Sequence, residues 1–220
     1  MKPHPYTLLA DLFSYPDPSF LEKVRQVPSL LKADHPFAAK EVELFYEGLP
    51  KNSLDRLQEL FTRTFDVQAA TTLDVGYVLF GEDYKRGALL SNLNREHENA
   101  HNDCGTELAD HLPNLLRLIP HLDDAELIRE LVSEILAPAL QSMIGEFGQE
   151  RLDKKNQWYQ KQCKTLIETP STHADVYCHA LKAVFSALKQ DFKISEETAQ
   201  VHRTNDFLKS VASEMSIESP

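Results

Sequence analysis

His97, Glu98 and His101 have the spacing H-E-x-x-H, which is the spacing found in zinc proteases. On a helix this spacing places two imidazoles on one face with a carboxylate beside them. The flanking residues 94–96 and 102–103 are polar, and the extended form of the motif with a third histidine does not follow. We therefore interpret the pattern as a chance occurrence on a solvated helix end. A zinc-dependent hydrolase is kept as the alternative function.

Other groups of reactive side chains point even less to catalysis. Cys104 lies beside Asp103 and near Glu107, and these negative neighbours raise the pKa of a thiol and make it a poor nucleophile. The histidines and the cysteine of residues 173–179 match no structural zinc spacing. The sequence therefore predicts a protein that is not an enzyme and has no metal or cofactor of its own.

Two polar segments remain, residues 81–87 and residues 107–113. In the second, Asp110 is expected to cap a helix that has Pro113 in its first turn. The start of that helix would expose both Asp110 and His111. Two interpretations stay open: Asp110 is only a helix cap with His111 incidental, or the pair forms a recognition site.

The elements that must position these residues are predicted to be helices. The chain has only seven glycines, and sheet proteins need glycine at hairpins and bulges. Amphipathic stretches follow good capping residues, namely Ser19, Ser53, Asp83 and the pair Asp123–Asp124. Residues 72–80 are rich in β-branched side chains, but an isolated strand would have no partner, so we expect a helix there.

The second half of the chain continues this pattern. Pro138 is expected to kink or end a helix, and two long helices are expected at about 149–169 and 172–190. The prediction is an all-α, single-domain bundle of roughly nine to ten helices over residues 1–190. Residues 191–220 are expected to form a polar, weakly ordered tail.

Charge and composition narrow the class of partner. The formal net charge is −11, which repels phosphate backbones and argues against nucleic-acid binding, whereas a basic partner would be attracted. The acidity could also serve solubility alone. The N-terminus lacks an apolar signal-peptide core, no run of 18 apolar residues occurs, and three cysteines form no disulfide framework. These features predict a cytoplasmic protein.

Five segments together resemble the assembly chaperones of molybdenum oxidoreductases, the NarJ, TorD and DmsD group. An aromatic and leucine series ends in Tyr-Pro, and a later helix ends in Phe-Asp. A Thr-Leu pair with an aromatic stretch then leads to a turn of the form Gly-acid-acid-x-Lys-Arg-Gly, and the last segment runs from an acid to Asp-His-Leu-Pro. In this chain they are Tyr6–Pro16, Leu57–Asp66, Thr72–Phe80, Gly81–Gly87 and Glu107–Pro113.

The resemblance implies a chaperone without catalysis of its own. Such proteins bind the N-terminal segment of the catalytic subunit of a molybdopterin enzyme, in some cases a twin-arginine-type leader. They hold this subunit until its molybdenum cofactor, and often an iron–sulfur cluster, is inserted before assembly or export. Carried over to this chain, the client-binding residues are expected to be Phe65, Asp66, Tyr77, Arg86, Glu107, Asp110, His111 and Pro113.

Overall fold

The computed structural model describes residues 3–67, 69–148 and 175–194, and within these ranges the chain forms helices and no strand. The first helices are α1 (Pro5–Ala10) with a 3₁₀ turn (Asp11–Phe13), α2 (Phe20–Leu31), α3 (Pro36–Gly48), α4 (Leu54–Phe65), α5 (Val75–Phe80) and α6 (Tyr84–Asn99). The later ones are α7 (Leu112–Leu118) with a 3₁₀ turn (Ile119–His121), α8 (Ala125–Glu130), a π-helical turn (Leu131–Leu136), α9 (Ala137–Gly145) and α10 (Val176–Phe192). The predicted all-α, single-domain bundle is confirmed.

Local capping signals in the sequence explain where several helices begin. The side chains of Ser53, Asp83 and Asp124 accept backbone N–H groups of α4, α6 and α8, as expected. Ser19 occupies the position before α2, but its hydroxyl donates to the Asp17 carboxylate instead of capping the helix. The capping prediction for Ser19 is therefore wrong in its chemistry although the helix begins where expected.

Two further expectations are refined by the structure. In the run of residues 72–80 the helix forms only from Val75, and Asp74 instead pairs with His111 in an isolated antiparallel bridge. Pro138 does not end its helix, because the π-helical turn before it leads directly into α9. A π turn changes the local hydrogen-bond register, which is one way for a helix to accommodate a proline.

Predictions for the C-terminal part fall partly outside the described residues. The expected helix at 149–169 lies entirely outside them. The helix expected at 172–190 corresponds to α10, which continues to Phe192. Of the tail expected at 191–220, only residues 191–194 are described.

The core forms where α10 packs along α3, with α9 and α1 on its other sides. Tyr177 of α10 is buried among aromatic rings, and its ring centre lies 5.0 Å from Phe45 and 4.9 Å from Phe65. Gly48 lets α3 approach α10 closely, since a Cβ there would lie 2.9 Å from a methyl group of Val176. This aromatic core supports one wall of the cleft described below.

Candidate functional site

A cleft of about 720 Å³ opens where five segments of the chain meet. Its lining comes from the end of the 3₁₀ turn after α1, the C-terminal end of α4, the extended residues 72–74, the loop 103–107 and the start of α7. The residues that line it include Tyr15, Phe61, Phe65, Asp66, Asp74, Asp103, Cys104, Glu107, His111, Pro113, Asn114 and Arg117. The cleft is large enough to hold several side chains of a bound segment.

One wall of the cleft is aromatic. The ring of Tyr15 meets Phe61 edge to face at 5.5 Å, and Phe61 meets Phe65 at 5.1 Å. Behind them Phe65 packs on the buried Tyr177. Phe61 and Phe65 are nearly buried, whereas Tyr15 is 56% exposed. The wall therefore offers a firmly supported apolar surface with one large ring free to cover a ligand.

The remaining lining is predominantly acidic. Asp66, Asp74, Asp103 and Glu107 contribute four carboxylates, against the guanidinium of Arg117, which pairs with Asp11 at 2.8 Å, and the imidazole of His111. Burial and the negative charges of Glu107 and Asp74 raise the pKa of Asp66, although His111 acts in the opposite direction. Excess negative charge thus remains in the cleft, and a positively charged ligand would relieve it.

A network of charged side chains supports the acidic side of the cleft. Arg86, in the first turn of α6, donates from Nε to Asp110 at 3.0 Å and from Nη2 to Asp74 at 2.9 Å. The other oxygen of Asp74 lies 3.3 Å from Nδ1 of His111, which is also 3.9 Å from Glu107. The hydrogen bond with His111 and the charge of Arg86 lower the pKa of Asp74, despite the opposing effect of burial. Asp74 is therefore held as a carboxylate facing the cleft.

Backbone pairing fixes the position of this network. The N–H of Val75 donates to the carbonyl of Asp110, and the N–H of Leu112 donates to the carbonyl of Leu73. Gly76 is the residue after Val75, and a Cβ at this position would lie 2.6 Å from Oδ2 of Asp110. Glycine is thus required here so that the start of α5 can approach the Asp110 carboxylate.

The structure corrects the expectations for Asp110. The residue before α7 is His111, and Asp110 lies one position earlier, so Asp110 is not the N-cap of that helix. Nor is it exposed, because its side chain has no accessible surface. Sequence reasoning missed its burial because its partner Arg86 lies 24 residues away in the sequence.

In the H-E-x-x-H pattern the helix ends as expected, and the structure corrects only the expected solvation of His97. Helix α6 ends at Asn99 and His101 has a φ of 52°, so the two imidazoles do not lie on one helical face. His97 is buried rather than solvated. Its Nε2 donates to the Ala109 carbonyl at 3.0 Å, and its Nδ1 accepts from the Asn102 amide at 2.9 Å. Both ring nitrogens are therefore engaged by the loop that leads to the cleft.

The hydrogen bond between His97 and Asn102 belongs to a larger network that holds the loop after α6 in place. The Asn102 amide also donates to the carbonyl of Asn114, whose own amide donates to the carbonyls of Cys104 and Leu108. Burial lowers the pKa of His97, which favours the neutral ring that these contacts need. The network positions the loop that carries Asp103, Cys104 and Glu107 into the cleft.

Eight residues were predicted from the sequence as the client-binding set, and the structure divides them into three groups. Five of them line the cleft: Phe65, Asp66, Glu107, His111 and Pro113. Asp110 and Arg86 lie behind it in the charged network. Tyr77 is 44% exposed and stacks over the Arg86 guanidinium, with 5.4 Å between the charge and the ring centre.

Several lining residues were missed by the sequence reasoning. Tyr15 and Phe61 lie within segments that resemble the chaperone family, but they were not predicted to bind a client, and Asp74 was treated as part of a β-branched run. A carboxylate within such an apolar run is an unusual feature and could have marked Asp74. Asn114 and Arg117 carried no local signal, because their importance depends on loops distant in sequence.

The remaining reactive groups are accounted for within the described part of the chain. Burial, followed by the charge of Asp103, raises the pKa of the Cys104 thiol, in the expected direction. Cys178 is buried, and His179 pairs with Glu41 at 2.7 Å. Among the residues that the structure describes, no group of three or more histidine, cysteine, aspartate or glutamate side chains is arranged to hold a metal ion.

No protein-family model matches the chain, and no curated protein matches it. Within residues 3–67, 69–148 and 175–194, no helix combines the length and the apolar character needed to cross a membrane.

Proposed function

We propose that this protein is an assembly chaperone for a molybdenum oxidoreductase of the nitrate reductase or dimethyl sulfoxide reductase type. It works in the cytoplasm and binds the N-terminal segment of the client's catalytic subunit before assembly or export. It has no catalytic activity and no cofactor of its own, and it holds the subunit while the molybdenum cofactor is inserted.

The observation that carries this proposal is the cleft with one aromatic and one acidic side. The segments that resemble the chaperone family lie far apart in sequence, yet residues from several of them line this one cleft, including Phe65, Asp66 and His111. Grooves between helices commonly accept an amphipathic segment through apolar anchors. The aromatic side would bind such anchors, and the acidic side would select a basic segment.

The chemistry of the two sides defines the segment that fits. An apolar side chain would pack against Tyr15 and Phe61, where it would bury an aromatic ring that is now exposed to water. An arginine beside it would bring a guanidinium to Asp66 and Glu107, whose negative charges repel each other in the free protein. A basic pair followed by apolar residues has both properties, and twin-arginine-type leaders are of this kind.

Co-expression with a client tests the proposal directly. The tagged chain is produced together with the catalytic subunit of a nitrate reductase, with and without the subunit's N-terminal segment. We expect the full subunit to co-purify and the truncated subunit to be lost. Capture that does not depend on the N-terminal segment, or no capture of any molybdoenzyme subunit, would contradict the proposal.

Metal analysis of the same purified chain separates the alternative function from the proposed one. A zinc hydrolase would retain about one equivalent of zinc, and that zinc would be lost when His97 and His101 are changed. A chaperone of the proposed kind would purify without stoichiometric zinc. Zinc retained together with hydrolytic activity would overturn the proposal.

A further inference from the structure

Asp110 has a charged side chain in a place where a client cannot reach it. Its carboxylate has no accessible surface, and Oδ2 accepts from Nε of Arg86 at 3.0 Å. Among the described residues, Oδ1 has no hydrogen-bond partner. A buried carboxylate destabilises a fold unless it is paired. Asp110 therefore cannot touch a ligand in the cleft, and Arg86 is the hydrogen-bonded partner of its carboxylate among the described residues.

Arg86 connects the buried carboxylate with one that faces the cleft. Its guanidinium is planar and presents donors in fixed directions, so binding Asp110 through Nε determines where Nη2 points. Nη2 donates to Asp74 at 2.9 Å, and the ring of Tyr77 covers the cation. The orientation of the Asp74 carboxylate is thus set from behind the cleft wall.

Asp74 in turn orients His111. Its second oxygen lies 3.3 Å from Nδ1 of His111, and the backbones of the two residues pair in the antiparallel bridge. Both side chains line the cleft. The chain of contacts therefore runs from Asp110 through Arg86 and Asp74 to His111, and only its last two members face a ligand.

We infer that Asp110 and Arg86 are positioning residues, which fix Asp74 and His111 as the polar contact surface for a bound basic segment. This inference rests on the proposed function in that the ligand is a basic peptide. It differs from direct recognition by Asp110, because the charge of Asp110 acts on the Arg86 guanidinium and not on the client.

A double-mutant cycle tests the inference. The probe is a synthetic peptide with two adjacent arginines followed by an apolar run, and its affinity is measured by fluorescence anisotropy. We expect Asp110→Asn to weaken binding about tenfold, since the ion pair that holds the Arg86 guanidinium in place is lost. The double variant with Asp74→Asn should bind no more weakly than Asp74→Asn alone, because Asp110 acts through Asp74. Losses that multiply in the double variant, or no loss with Asp110→Asn, would overturn the inference.

Asp103→Asn is the matched control for charge. Asp103 also lines the cleft, but its carboxylate accepts the N–H of Gly105, and it is not joined to Arg86 among the described residues. Removing it changes the net charge by the same amount as Asp110→Asn. Its effect should combine with that of Asp74→Asn as independent losses. If the double variant of Asp103→Asn and Asp74→Asn also bound no more weakly than Asp74→Asn alone, the cycle would report only the loss of charge, and the inference would be overturned.

A second measurement needs no peptide and separates this inference from the proposed function. Carbon NMR follows the titration of the Asp74 carboxyl, whose charged neighbours are His111, Arg86 and Asp66. In the wild type we expect its pKa below the ordinary aspartate value. Loss of the negative charge of Asp110 would by itself lower that pKa further, so a rise in Asp110→Asn reports that Arg86 has left its position beside Asp74, and this rise is what we expect. An unchanged or a further lowered pKa would overturn the positioning role.

Two outcomes need separate treatment. If the wild type binds no basic peptide, the proposed function fails, and the Asp74 titration still decides the positioning role. If Asp110→Asn does not fold, as judged by its helical circular dichroism, Arg86→Lys replaces it in both measurements. Lysine keeps the charge but cannot bridge the two carboxylates in the same geometry, so the same losses are expected.

Discussion

Two polar clusters hold the segment of residues 107–113 against α6, and they differ in the kind of chemistry they can do. The cluster around His97 is neutral, buried and hydrogen-bonded through both ring nitrogens. The cluster around Asp110 and Arg86 is charged, and it reaches the cleft through Asp74. The cluster with the catalytic-looking spacing thus shapes a loop, whereas the cluster without a catalytic motif is placed to influence a ligand.

This difference shows what a motif's spacing leaves undetermined. The separation of His97 and His101 would place them together only if the helix continued, and α6 ends at Asn99. The charged cluster assembles from three segments, and no local spacing in the sequence indicates that its members meet. Whether a polar side chain supports the fold or meets a ligand depends on where the helices end and which loops return to them.

The largest expected effect separates the two histidines of the motif. His97→Asn would leave the Ala109 carbonyl and the Asn102 amide without their buried partner, so we expect the free energy of unfolding to fall by about 3 kcal/mol. His101→Asn should change it by less than about 0.5 kcal/mol, because the site is exposed and asparagine tolerates a positive φ. Urea unfolding of both variants measures this. Equal effects at the two positions would contradict a purely structural role for His97.

Gly76 tests how closely the charged cluster is packed. In Gly76→Ala the new Cβ would lie 2.6 Å from Asp110 and 3.1 Å from Leu89, and we expect a loss of about 2 kcal/mol in unfolding free energy. Gly87 is the control, because a Cβ placed there would meet no described atom within 4 Å apart from its chain neighbours and the adjacent backbone of its own helix. Gly87→Ala in α6 should stabilise the protein by up to about 1 kcal/mol. If thermal melts showed that both substitutions raise, or both lower, the melting temperature, this packing would be contradicted.

The two clusters should also respond to acid at different pH. Burial lowers the pKa of His97, so its contribution to stability is complete above the ordinary histidine value and is lost as the pH falls through the folded-state pKa. The pKa of Asp74 is also lowered, so its contribution to stability is likewise lost as the pH falls, but only in the more acidic range below the ordinary aspartate value. Urea unfolding at about pH 7.5 and pH 5.5 should therefore show a smaller acid-induced loss in His97→Asn than in the wild type. Equal losses would contradict the neutral, buried imidazole.

The smallest effect concerns the uncompensated charge of the cleft. The pKa of Asp66 is raised by burial and by neighbouring acids, so removing its charge in Asp66→Asn should slightly stabilise the free protein. The same change should weaken binding of a basic peptide about threefold. Asp17→Asn is the control: hydrogen bonds from Ser19 and Lys23 lower the pKa of Asp17, so its loss should slightly destabilise the protein. Melting curves in which Asp66→Asn destabilises the protein, or Asp17→Asn stabilises it, would contradict the electrostatic environments described for these two carboxylates.

Local signals in the sequence were sufficient for the fold class and for many helix boundaries. Ser53, Asp83 and Asp124 cap helices because capping depends only on a side chain and the next three residues. The burial of Asp110 and of His97 could not be predicted in this way. It depends on contacts across the chain, such as that of Arg86 with Asp110 or of His97 with Ala109.

The site was predicted unevenly for the same reason. Phe65, Asp66 and Glu107 were found through the family resemblance and lie in the cleft. Tyr15 and Asp74 were not singled out, because helical periodicity describes the core and gives no information about which residues border a cleft.

The central claim is that the cleft binds a basic, amphipathic segment, and a matched pair of aromatic substitutions tests it most directly. Tyr15 lines the cleft and is 56% exposed, whereas Phe37 is 73% exposed on α3 and does not line it. Calorimetric titration with the N-terminal peptide of a molybdoenzyme catalytic subunit should show affinity falling at least about tenfold in Tyr15→Ser. Phe37→Ser should bind as the wild type does. Unchanged binding in Tyr15→Ser, or an equal loss in both variants, would contradict the assignment of the cleft as the binding site.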